Sequence, residues 1–173
     1  MTLISHRRIR KTILLIIFYA TPIWGSIGNV DQVEGNGVIE RNKEDTIIQE
    51  ELEIEQFDTV KTGNGKVGIL FIDDTRVDVT QHSKLIIDEF VFDPNSGTGK
   101  LSLKAALGTV RYASGQIAKN SRQDITITTP TATIGVRGTD FSMTIDELGG
   151  STIILLPSCD VKGNCLVGEI VVE

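Results

Sequence analysis

The chain has 173 residues, 40% of them apolar and 5% aromatic, with 17 Lys and Arg against 23 Asp and Glu for a net charge of −6. That length and apolar content suit one domain with a modest core and exclude a disordered chain. The acidic balance argues against nucleic-acid binding, because affinity for a polyanion comes from counterions released by Lys and Arg.

The first segment reads as an address. Arg7, Arg8, Arg10 and Lys11 form a cationic region, Ile13 to Ala20 form a short apolar one, and Thr21-Pro22 break any helix ahead of the small residues Ser26 and Gly28. This layout predicts a secretory signal peptide over residues 1–28 with Asn29 as the first mature residue. Even extended to Ile27, the apolar run falls short of the roughly 20 residues a bilayer-spanning helix needs. No Cys lies near the junction, so no lipid anchor is expected. The mature domain is therefore placed at residues 29–173, in the periplasm or outside the cell. Its 13 basic and 23 acidic residues give it a net charge of −10.

From there apolar residues alternate with polar ones, which predicts strands. Val30 to Ile39 reads as a strand interrupted by glycine, and Glu40 to Glu51 as a charged loop or a single helical turn. Leu52 and Ile54 alternate with glutamates; Val67, Ile69 and Phe71 precede a turn at Asp73-Asp74-Thr75; Val77 and Val79 follow it. Leu85 to Phe92, then Leu101 to Leu107, Ile125 and Ile127, Phe141 to Ile145, Ile153 to Leu156 and Val167 to Val172 complete the series. Turns are expected at Gly63-Asn64-Gly65, Asp93 to Gly97, Ser114-Gly115 and Gly149-Gly150. About ten short strands in one all-β domain imply a sandwich or incomplete barrel, with a solenoid-like stack as the alternative.

Little in this series suggests catalysis. Asp73, Asp74 and Asp78 have the oxygen spacing of a loose calcium loop, but Arg76 stands among them and the glycine and glutamate of an EF-hand are missing, so a hairpin turn is the reading. Glu50, Glu51, Glu53 and Glu55 read as a solvated strand face. His82, the lone histidine after the leader, lies beside Ser83 in a predicted strand end or turn, with no nucleophile-elbow pattern in the chain. No catalytic residue, metal, cofactor or small-molecule substrate is expected. Cys159 and Cys165, with five residues between them after an export signal, are expected to form a disulfide across one loop.

Thr129 to Phe141, TPTATIGVRGTDF, concentrates turn-forming and charged residues between two apolar runs. Pro130 should start a strand or sit at an edge, and Gly135 and Gly138 should allow positive φ or close approach around Arg137. An enclosed arginine needs a partner, and Asp140 and Asp124 are the candidates.

This segment, and within it VRGTDF, closely resembles the signature of the FecR-type domain. Phe57 to Val79, His82 to Phe90 and Leu101 to Arg111 follow the same family order. The resemblance marks Thr129, Pro130, Gly135, Arg137, Gly138, Thr139, Asp140 and Phe141 as a structural motif. It implies an extracytoplasmic β-rich module that makes protein contacts and, in iron-uptake regulators, relays a signal from an outer-membrane transporter to a sigma factor. The sequence shows neither the anti-sigma domain nor the transporter-contacting domain of those regulators, so sigma-factor control is not expected of this chain alone. Two functions follow: a non-catalytic sensor or interaction module contacting an envelope protein, or a self-associating structural component of a cell surface or virus particle.

Overall fold

The computed structural model describes residues 25–121, 124–159, 163, 165–166 and 168–173. Most of the expected leader, residues 1–24, and part of the loop between the two cysteines lie outside the described residues.

The strands are β1 (Gly28–Arg41), β2 (Glu44–Ile47), β3 (Glu53–Ile54), β4 (Thr59–Phe71), β5 (Arg76–Val79), β6 (Lys84–Asp93) and β7 (Thr98–Ala113). After a short helix, α1 (Gln116–Asn120), come β8 (Ile125–Thr128), β9 (Thr133–Arg137), β10 (Asp140–Ile145), β11 (Ser151–Leu156), β12 (Ser158–Cys159), β13 (Cys165–Leu166) and β14 (Glu169–Val172). The domain is all-β, as expected, and a partial barrel. β4 pairs with β5 and β6, and β7 pairs with the same two strands, so these four close a circuit. From it the sheet extends through β1 and β2 on one side and β8, β9 and β14 on the other.

Three strands are longer than the expected short pieces, and glycine is the reason. Gly63-Asn64-Gly65 is not a turn between strands but an interior irregularity of β4, where Gly65 lies opposite Gly35 of β1. Both have positive φ, and a Cβ on Gly65 would stand 1.8 Å from the Glu34 carbonyl oxygen, so only glycine lets the two backbones meet here. Gly108, at φ +83, kinks β7. Residues up to Leu107 pair with β6 and residues from Gly108 onwards pair with β10, so one continuous chain serves both halves of the sheet.

The segment Glu40 to Glu51 also departs from its expected loop or helical turn. Asn42 and Lys43 both take positive φ, which makes a two-residue hairpin turn whose twist matches the flanking strands, and β2 folds back onto β1. The five residues of α1 were not legible as a helix. They lie in the crossover between β7 and β8, which run parallel, a connection that cannot be made by a tight turn.

Alternation supplies the core. In β5 Val77 and Val79 are buried while Arg76 and Asp78 face outward. The same rule buries Ile69, Leu85, Leu101, Leu103, Val110 and Ile127, each contributing about 1.5 to 3 kcal/mol on transfer from water. Phe71 stacks on Phe90 at 5.4 Å and Tyr112 on Phe141 at 5.2 Å. Burial raises the pKa of the Tyr112 phenol, which stays protonated at neutral pH.

At the other end, Ile27 is buried, its N–H donates to Ile54 O at 2.9 Å, and its carbonyl accepts from Ile72 N at 3.0 Å. The folded chain thus includes residues ahead of the expected start at Asn29.

Candidate interaction surface

The motif Thr129 to Phe141 forms the whole β8–β9 turn, all of β9 and the start of β10. Strand alternation buries Ile134, Val136 and Phe141 and turns Thr133, Gly135 and Arg137 to the other face. Arg137 is consequently not enclosed. Its Nη1 donates to Glu169 Oε2 at 3.2 Å across the β9–β14 ladder, with the two side chains 40% and 64% exposed. Neither Asp140 nor Asp124 fills the expected partner role. Asp140 Oδ1 instead accepts from Ser114 N at 2.9 Å, and Ser114 Oγ donates to Thr139 O at 2.7 Å.

Gly138 takes the positive φ expected of it, whereas Gly135 does not, and a Cβ there would meet nothing nearer than Val171 at 3.9 Å. Thr139 is buried and its hydroxyl accepts from Gly168 N at 3.2 Å, tying the motif to the segment before β14. Pro130 is exposed in the turn between β8 and β9. There Thr129 Oγ1 accepts from Ala132 N at 3.1 Å and from Ser151 Oγ at 2.8 Å, and Thr131 Oγ1 donates to Gly149 O at 2.8 Å. The motif is thus bonded to the β7–α1 loop, the β14 end and the β10–β11 turn.

The enclosed ion pair sought at Arg137 lies elsewhere. Asp58 is fully buried, and Arg41 Nε and Nη2 donate to its two oxygens at 2.8 and 2.7 Å, while Glu55 N donates to Oδ2 at 2.8 Å. Arg41 also pairs with Glu55 at 2.6 Å. The hydrogen bonds it donates to Asp58 raise the Arg41 pKa. Sequence reasoning missed this pair because its members are 17 residues apart and meet only once β1, β2 and β3 have folded together.

The acidic trio does not converge. Buried Asp73 accepts from Thr75 N at 3.1 Å, Thr75 Oγ1 at 2.7 Å and Ile117 N at 3.3 Å, so it fixes the expected hairpin turn and also tethers α1. Asp78 accepts from Arg76 Nε at 3.1 Å, and Arg76 also pairs with Asp31. Among the described residues no group of three or more Asp, Glu, His and Cys could hold a metal ion. His82 is exposed in a turn, and the Ser83 hydroxyl accepts from Thr109 N at 3.0 Å, which engages it in the fold. A groove of about 430 Å³ lies against Ile47, Lys61 and the glycines of β1 and β4.

The two cysteines stand opposite one another in the β12–β13 ladder, Cys159 against Cys165.

One surface has no internal use. Among the described residues β11 pairs with β10 alone, which leaves its other edge unpaired. Ile154 is 59% exposed, Leu155 38%, and Leu148 in the preceding turn 95%. No charged residue occurs from Ser151 to Pro157, whereas β2 carries Glu44 and Asp45 and β14 carries Glu169. Natural proteins usually protect sheet edges with charge, proline or cover. Beside β11, Thr109 and Thr144 are bonded Oγ1 to Oγ1 at 2.9 Å across β7 and β10. An unpaired, uncharged strand with exposed apolar side chains can accept another strand by main-chain hydrogen bonding.

Among the described residues no helix is long and apolar enough to cross a membrane. Neither a curated protein nor a solved structure matches the chain. The family model described as FecR protein matches residues 58–161, from the buried Asp58 through the motif and the β11 edge, which is more than half of the chain, and the chain belongs to that family.

Proposed function

We propose that this chain is an exported, non-catalytic interaction module of envelope signalling, and that it contacts its partner by adding an extended segment of that protein to the free edge of β11. The family is one of envelope-associated signalling regulators that act through protein contacts. The observation that carries the proposal is the unpaired, uncharged edge bearing Ile154 and Leu155. Its position also suits a sensor, because the β10–β11 turn is bonded directly to the family motif through Thr131 and Gly149.

Placing a charge on the edge tests this reading. Ile154→Lys should leave the fold intact, since the side chain is mostly exposed, and should abolish capture of the envelope partner by purified protein. Unchanged capture would remove β11 from the contact.

The second reading, a structural component that self-associates, draws on the same lack of charge: two copies of β11 can approach without like-charge repulsion despite the acidic net charge. It predicts multimers on size-exclusion chromatography that Ile154→Lys dissociates, with no requirement for a second protein.

A further inference from the structure

The start of β1 is a central strand, held on both sides. Gly28 lies opposite Ile54 of β3 and Phe71 of β4, and Asn29 opposite Glu53 and Leu70. A Cβ on Gly28 would stand 2.6 Å from the Leu70 carbonyl oxygen, so the backbone here is closely enclosed. Ile27 belongs to the same arrangement through its buried side chain and its hydrogen bonds to Ile54 O and from Ile72 N. Removing residues 1–28 would delete that apolar side chain from the core. It would also leave the Ile54 carbonyl and the Ile72 N–H without their partners, and would place a charged terminal ammonium on the Asn29 ladder position. Unpaired backbone groups in such a site are costly.

We infer that the export signal is cleaved between Gly25 and Ser26, so that the mature chain begins at Ser26 and retains Ile27 and Gly28. The cut has to fall after the helix-breaking Pro22 and before Ile27, and the residue ahead of the scissile bond has to be small. Gly25 and Ser26 are the small residues in that window. A cut after Ser26 would make the bulky Trp24 the third residue before it and would turn the Ile27 N–H into a charged terminus inside the ladder. A cut after Gly25 puts Ile23, a smaller side chain than Trp24, third before the bond and leaves the Ile27 N–H in a peptide, and it keeps the Ser26 hydroxyl, which donates to Gly28 O at 2.8 Å and holds the end of the strand. The reaction is hydrolysis: water adds to the Gly25 carbonyl, the Gly25–Ser26 bond breaks, and Ser26 leaves as the amine.

This inference rests on the export reading of the proposed function, and one experiment separates the two. The full chain, with its own leader, is expressed in an exporting bacterial host, and the product is analysed by amino-terminal sequencing and intact mass. Both readouts work on denatured protein, so misfolding does not obscure them. A single species starting at Ser26 is expected, and Gly25→Arg should leave the precursor uncut. Species starting at Asn29 or Ile27 would overturn the position while leaving export standing. An intact Met1 form of the unaltered chain would overturn both.

Discussion

The guanidinium of Arg41 grips the carboxylate of Asp58 with two parallel hydrogen bonds, Nε to Oδ1 at 2.8 Å and Nη2 to Oδ2 at 2.7 Å, and Asp58 is wholly removed from solvent. The pair joins the last residue of β1 to the residue immediately before β4. Nothing comparable holds Arg137, whose pair with Glu169 stands in solvent.

Arg41→Ala leaves the Asp58 charge buried with one main-chain donor, and is expected to cost about 3 kcal/mol. Arg137→Ala breaks a solvated pair and is expected to cost less than about 1 kcal/mol. Thermal melts of the two variants against the unaltered chain check the order. A larger loss for Arg137→Ala would return the fold-locking role to the motif arginine.

Glycine substitutions should divide sharply. Gly65→Ala puts a methyl group onto the Glu34 carbonyl oxygen at a residue with φ +140, and is expected to destabilise by more than about 2 kcal/mol. Gly135→Ala enters open space at an ordinary strand conformation and is expected to change stability by no more than about 1 kcal/mol, in the stabilising direction. Denaturant unfolding measures both. Equal losses would mean that the Gly65–Gly35 approach is not what the long β1–β4 ladder requires.

Alternation carried most of the sequence reading. Val77 and Val79, Leu101 and Leu103, and Phe141, Met143 and Ile145 were legible as core because a strand with one buried face repeats every two residues. The turns at Asp73-Asp74 and Asp93 to Gly97 were legible because their Asp side chains bond the backbone two residues on, as Thr75 N to Asp73 and Asn95 N to Asp93 show. What failed depended on distant partners. Gly63-Asn64-Gly65 looks like a turn until Gly35 is known to face it, and Arg137 looks enclosed until the phase of β9 is known. The β11 edge was not legible either. Ile153 to Leu156 reads as an apolar run, and only the sheet order shows that it lies at an edge.

Cys159 and Cys165 are expected to form a disulfide in the exported protein, and their opposition in the β12–β13 register supports the pairing. Closing so short a loop is expected to stabilise by about 2 to 3 kcal/mol at most. Mass spectrometry of the non-reduced protein should show the mass lost on forming an intramolecular bridge. Two alkylatable thiols would contradict it.

Site-specific photocrosslinking tests whether β11 is the contact edge. A photoreactive residue placed at Ile154 of the exported chain, in its native host, is expected to give a discrete adduct with an envelope protein. The same probe at Glu44 on the charged β2 edge is expected to give none. Crosslinking from Glu44 with none from Ile154 would contradict the claim and move the contact to the opposite side of the sheet.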